Sequence, residues 1–412
     1  MVRYAKGAAA LMAALLLSTA AVAQEKRILT FITDNNDPAP KAAWEQLVAD
    51  FEAENADIDV EMNIMDREAY KTAIRNFLTA DPPDVANWYP GNRMKPFVDA
   101  GLFLDISDVY ASNNLTTELA STLPVVTQDG KQWMVPYTYY QWGIYFNRTV
   151  YEQVGATVPT TWDEFIANCE KFKAANIDCL TTGTSQLWPA AGIFDYLNLR
   201  TNGYEFHRQL TNGEVAWTDD RVRATFAEWA KVVPYTTANH AAIDWQDAVP
   251  LVVQGKAANY VMGNFAVAAL KEGGMTDETL GFMPFPTINP DVPRAEEAPT
   301  DAVFIPAGAE NVDDAKKFMA FVARADVQTK LNQNLGQLPV NAGATVGEDP
   351  FLQAGFELLS TTPGGIAQFF DRDAPAEMAK VGMEGFQEFM VKPENLDAIL
   401  ERLEAARQRI YQ

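Results

Sequence analysis

The sequence predicts an α/β protein of two lobes with a ligand cleft between them. Three observations carry this. Strand-like and helix-like segments alternate along most of the chain. Short loops rich in Asp, Asn and Gly follow the strand-like segments, at the edge where open α/β sheets bind ligands. Finally, the aromatic stretch from Trp133 to Asn147 lies about a third of the way along, where one α/β pattern ends and another begins.

In chain order, Arg3 and Lys6, the apolar run from Gly7 to Ala20 and Ala21-Val22-Ala23 read as a signal peptide over residues 1–23. No Cys follows the apolar run, so a soluble periplasmic product without a lipid anchor is expected. Ile28–Thr33 reads as a buried strand, and Asp34-Asn35-Asn36-Asp37 lead from its end into a helix marked by Trp44, Leu47, Val48 and Phe51. Ile58, Val60, Met62 and Ile64 alternate as a second strand. A helix with Tyr70, Ile74, Phe77 and Leu78 follows, then a strand and loop running to Trp88, Asn92 and Arg93. This alternation implies a parallel sheet with helices outside.

Seven of the fourteen residues from Trp133 to Phe146 are aromatic. Pro136 lacks a ladder donor, so one strand is expected to stop there and another to start. In extended chain Tyr137, Tyr139, Gln141, Gly143 and Tyr145 share one face, expected to floor the cleft. Tyr140, Trp142, Ile144 and Phe146 share the other, expected to enter the core. The plainer alternative for each aromatic is a buried strand with no ligand role.

Beyond it, Thr161-x-x-Glu164 is a capping box opening a helix with Trp162, Phe165, Cys169 and Phe172. A short strand at Cys179 ends in Thr184-Ser185-Gln186 before Trp188. Trp245 starts another helix, and Lys256–Met262 reads as a strand ending at Gly263-Asn264-Phe265. Residues 287–298 lack periodicity and read as a return crossing. The tail ends in a long helix with Ile399, Leu400 and Leu403 on one face. The expected first lobe is 24–136 with 299–337, and the second is 138–286 with 342–412. Hinge crossings fall near 136–141, 287–298 and 336–341.

The formal net charge of −23 repels nucleic acid and anionic membrane. Cys169 and Cys179 are the only cysteines. In an oxidising compartment they are expected to form a disulfide, with two buried thiols as the alternative. No metal site, cofactor or catalytic residue is expected. His207 and His240 are the only histidines, and surface or capping roles are expected of both. No phosphate-binding loop, dinucleotide fingerprint or nucleophile elbow is present. What the chain offers instead is aromatics beside short polar side chains at strand ends. Trp88 precedes Asn92, Trp142 follows Gln141, Trp188 follows Gln186, Phe265 follows Asn264, and Phe370 precedes Asp371 and Arg372. A sugar ring has an apolar face for an aromatic plane and a hydroxyl rim for the polar groups.

Four segments carry a family resemblance: Pro83-Asp84-Val85 with Trp88; Gly143 to Gly155 followed by Pro159 to Phe165; Gln254 to Phe265; and the helical tail. Through them the chain resembles the extracellular solute-binding proteins of sugar-binding family 1, the maltose-binding-protein-like receptors of ABC importers. The resemblance implies a two-lobed, type II-like periplasmic binding protein fold with several hinge crossings. It also implies a carbohydrate ligand held between the lobes and a membrane permease as partner; a monomer is expected. It places Trp88, Phe265 and Phe370 at or near stacking aromatics and Asp34 to Asp37 at a polar contact region. Gly91, Thr184 and Ser185 depart from the maltose receptor, which argues against maltose. The expected ligand-binding set is completed by Tyr139, Trp142 and Trp245. A polyol, glycerol phosphate or sugar acid is the alternative ligand, and a secreted carbohydrate-active hydrolase the alternative of another class.

Overall fold

The computed structural model describes residues 26–411, so the leader read from residues 1–23 lies outside the described residues. Two separate sheets organise the chain. The first has the strand order Ile58–Ile64, Arg27–Thr33, Val85–Trp88, Thr300–Phe304, Val135–Tyr139. Its first three strands are parallel, and Thr300–Phe304 is antiparallel to both neighbours. The second has the order Leu280–Met283, Trp142–Asn147, Ala257–Gly263, Asp178–Thr181, with only the last pair parallel. Both sheets are therefore mixed, not parallel throughout as the alternation predicts. Thr300–Phe304 arrives from the other sheet without a crossover helix, and only a parallel neighbour requires one.

Apolar packing divides the same way. One core draws on Leu29 to Tyr137 and Ala302 to Val340, the other on Tyr140 to Phe285 and Phe351 to Ala406. Each lobe is thus built from two stretches of chain. Ala298, Leu338, Leu352 and Leu359 form a small third cluster with Tyr139, drawn from the segments that join the lobes.

Pro136 does not end its strand. Val135–Tyr139 lies at the sheet edge, and a register shift beside Ala302 falls opposite Pro136. A missing donor is tolerated at such a place. The chain therefore leaves the first sheet at Tyr140–Gln141, and Thr138 and Tyr139 stay with the first sheet. Buried amides fasten this edge: Gln328 Nε2 donates to the Pro136 carbonyl at 2.9 Å and Asn332 Nδ2 to that of Tyr137 at 2.8 Å.

In the second lobe, Thr161 Oγ1 accepts from the Glu164 amide at 3.3 Å, and Glu164 Oε2 accepts from the Thr161 amide at 3.2 Å. The capped helix, Trp162–Ala174, carries Cys169, which is disulfide-bonded to Cys179 with the Cα atoms 4.8 Å apart. Both histidines are buried, contrary to the surface or capping roles expected of them. His240 Nδ1 lies 2.8 Å from Thr184 Oγ1 and His207 Nδ1 3.0 Å from Asn198 Nδ2. Burial pushes His207 down to about 4, and it raises Asp195, whose Oδ1 is 3.8 Å from His207 Nε2, well above the carboxylate range. Burial thus disfavours the charged form of both groups.

Candidate functional site

The cleft lies where strand ends of the first sheet face the second lobe. From the first lobe, the loop after Arg27–Thr33 supplies Asp34, Asn35 and Asp37, and the residue after Val85–Trp88 supplies Tyr89. The helix Arg67–Ala80 supplies Arg67 and Lys71, one turn apart on one face. From the second lobe come Trp142, Trp188, Phe265, Phe369, Asp371 and Arg372, and Tyr140 comes from the crossing itself.

The second-lobe wall is a box of aromatic edges. Trp142 and Phe369 have ring centroids 4.8 Å apart, and Trp142 meets Trp188 edge-on at 6.1 Å. Phe265 stands edge-on to Tyr140 at 5.5 Å and to Trp245 at 5.2 Å. Two glycines make this possible. A Cβ at Gly192 would lie 2.3 Å from the Trp142 ring, and one at Gly263 would lie 2.4 Å from Phe265.

The first-lobe rim is polar and charged. Asp34 Oδ1 accepts from Asn87 Nδ2 at 2.6 Å, and Oδ2 accepts from the Tyr89 hydroxyl at 3.0 Å. Burial and the Asp34 charge raise Tyr89 well above the usual phenol, so it keeps its proton and donates. Arg67 lies 3.3 Å from Asp37 and 3.9 Å from Asp34. Charged contacts also cross the cleft: Lys71 to Asp371 at 3.1 Å and Arg372 to Asp301 at 2.6 Å. Burial alone would raise Asp371, but Lys71, Arg372 and Arg93 outweigh it and hold the carboxyl below its ordinary value. Burial lifts Asp301, with Arg372 opposing. Two buried atoms of this lining make no hydrogen bond, the donor Trp142 Nε1 and the acceptor Asp371 Oδ1, the latter 4.0 Å from Arg372 Nε. No group of three His, Cys, Asp or Glu among the described residues could hold a metal ion.

The structure brings together Asp34, Asn35, Asp37, Trp142, Trp188, Phe265, Asp371 and Arg372 of the residues singled out in the sequence. It places the others elsewhere. Asn36 points to solvent, as do Ser185 and Gln186. Trp88 is buried in the first core, stacked on Tyr89 at 5.0 Å. Asn92 donates to Asn212 Oδ1 at 3.1 Å. Tyr139 pairs by backbone with Leu338. Thr184 is turned inward to His240, and Trp245 backs Phe265. Gly263 makes room for Phe265, while Asn264 accepts from the Tyr145 hydroxyl and donates to the Gly336 carbonyl. Phe370 is in the second core, against Phe386 at 5.1 Å. The lining that the sequence reading missed includes Arg67, Lys71, Tyr89, Tyr140, Asp301, Gln337 and Phe369.

A larger open groove of about 1860 Å³ lies on the first lobe between Ile28, Met62 and Pro82 to Asp84. It lies within one lobe. Its Asp84 is spent on Thr30, Glu310 and Asn311.

Two discontinuous lobes, joined by crossings and facing each other over an aromatic and polar cleft, define a two-lobed solute-binding protein. The chain belongs to the bacterial extracellular solute-binding protein family, whose model matches residues 35–329. It is 25% identical over 332 residues to a multiple sugar-binding protein of Streptococcus mutans, covering 78% of this chain and 77% of that one. Among solved structures it superposes on the solute receptor AcbH, reported to prefer β-D-galactopyranose exclusively, with TM-score 0.86 and 26% identity, over 94% of this chain and 100% of that one. A chitin oligosaccharide binding protein shares the fold with TM-score 0.85 at 19% identity, over 94% of this chain and 99% of that one.

Proposed function

We propose that this chain is the periplasmic receptor of an ABC importer. It captures a neutral carbohydrate between its lobes and presents it to the membrane permease. The observation that carries this reading is the composition of the cleft. Six aromatic rings, Tyr89, Tyr140, Trp142, Trp188, Phe265 and Phe369, line a space whose wall also includes a donor and an acceptor that make no hydrogen bond. A hydroxylated ring has an apolar face for the first and hydroxyls for both of the others.

Charge favours a neutral ligand. The cleft cations Arg67, Lys71 and Arg372 each lie within 4.0 Å of a carboxylate of the cleft lining. A phosphate or sugar acid would have to displace one of those carboxylates, at the cost of leaving it buried and unpaired. The same pairing argues against a hydrolase. Asp34, Asp37, Asp301 and Asp371 are all tied to cations or amides, which gives no free acid–base pair.

The test is a thermal-shift screen of neutral sugars, sugar acids and glycerol phosphate, with the recovered sugar analysed by chromatography. At least one neutral sugar raises the melting temperature and is recovered intact. Stabilisation by anionic solutes alone, or steady release of hydrolysis products, contradicts the reading.

A further inference from the structure

We propose that Arg372 limits this cleft to a ligand of one sugar ring by dividing it into two compartments. The proposal rests on the carbohydrate reading above. Two small spaces of unequal size adjoin between the lobes. They share one boundary made of Arg67, Tyr89, Tyr140, Phe265 and Arg372. Arg372 is the member that reaches across from the second lobe. Its guanidinium lies 4.2 Å from the Tyr89 ring centroid and 5.8 Å from that of Tyr140, and it is bonded to Asp301 of the first lobe. A planar cation stacked on a ring and hydrogen-bonded to a carboxylate is fixed in place. The adjacent Asp371 is anchored to Lys71, so the segment carrying the divider is held at two successive residues.

The two compartments differ in chemistry. The smaller one has Trp142, Trp188 and Phe369 to itself, together with Trp142 Nε1 and Asp371 Oδ1, which make no hydrogen bond. It has both aromatic faces and hydrogen-bonding atoms whose bonds are unmade. The larger one is lined on its own side by Asp34, Asn35, Asp37, Asp301 and Gln337, with no aromatic beyond the shared boundary. Asp34 is already bonded on both oxygens. A first ring is therefore held in the aromatic compartment, while a second, linked ring would have to pass the Arg372–Tyr89 stack and gain no platform beyond it.

The experiment is calorimetric titration of the wild-type protein with matched pairs: galactose and melibiose, glucose and maltose, xylose and xylobiose, mannose and mannobiose. Arg372→Ala and Arg372→Met proteins are titrated alongside, with melting temperatures recorded. Wild type binds a monosaccharide at least about tenfold more tightly than its disaccharide. Arg372→Ala opens the divider and narrows that ratio by raising disaccharide affinity. Arg372→Met, which fills the same space without charge, keeps the ratio. A wild-type protein that binds a disaccharide as tightly as its monosaccharide overturns the proposal while leaving the carbohydrate reading intact. Equal narrowing by both variants also overturns it, because the effect would then come from the lost ion pair rather than from the divider. Failure of every sugar to bind overturns the carbohydrate reading, and this proposal with it.

Discussion

Replacing Phe265 and Trp88 separately by Ala distinguishes cleft from core, because the structure puts the two aromatics in opposite situations. Phe265 is half-buried, borders both compartments of the cleft, and meets Tyr140, Trp142 and Trp245 edge-on. Its loss removes one ring from a ligand contact. Such a contact contributes of the order of 1 kcal/mol, or roughly fivefold in the dissociation constant, and more if Phe265 is a central anchor. The folding cost stays below the ~3–5 kcal/mol of a fully buried Phe→Ala, since part of the ring already faces the cleft. Trp88 is 2% exposed, stacks on Tyr89, packs edge-on against Phe97 at 5.5 Å, and donates its indole N–H to the Arg93 carbonyl at 3.0 Å. Its removal costs ~3–5 kcal/mol of folding stability, from cavity and lost hydrogen bond together. Urea unfolding and calorimetric titration on the same preparations read both quantities. A Phe265→Ala protein with wild-type affinity, or a Trp88→Ala protein with wild-type stability, refutes the placement argued here.

Three further outcomes follow from particular contacts. The Cys169–Cys179 bridge closes a short loop with a sequence separation of 10, so replacing both by Ser lowers stability by roughly 2.5–3 kcal/mol. Unreduced mass spectrometry of wild type finds one linked peptide pair and no alkylatable thiol. Burial raises the Asp373 carboxyl to about 6, against an opposing hydrogen bond from the Thr211 hydroxyl at 2.8 Å. The folded state thus holds this proton where the unfolded chain has released it, and stability falls as pH rises from about 4 to about 6. Asp373→Asn removes that slope: melting curves across pH show a gain that grows through this window and is constant above it. Lys71→Met breaks the contact to Asp371 that spans the lobes. Small-angle scattering of the ligand-free variant finds a larger radius than wild type, and an unchanged radius refutes the clasp.

The fold was legible because it rests on periodicity. The stripe of Trp44, Leu47, Val48 and Phe51 and the alternation of Ile58 and Val60 survive into one buried core. The mixed strand directions were not legible, because pattern within a strand says nothing of how the chain re-enters a sheet. The site was read close to its place but often one residue off. The pattern points to Trp88 where Tyr89 lines the cleft, to Tyr139 where Tyr140 does, and to Phe370 where Phe369 does. Side chains at strand ends and crossings alternate between core and cleft, so one step reverses the assignment. The deciding torsions occur where a strand ends or a short helix begins, and no propensity specifies them. Arg67 and Lys71 escape the sequence for another reason. Two cations near a helix start look like a solvated face, and only the facing Asp371, 300 residues away in sequence, shows otherwise.

A crystal structure with a sugar taken from the screen tests the central claim most directly, because the molecule offers two competing cavities. The account predicts density for one ring against Phe265, Trp142 and Trp188, with a hydroxyl on Asp371 Oδ1 and the lobes closed over it. A sugar seated instead in the larger groove beside Pro82 and Asp84, with the space between the lobes left to water, contradicts it.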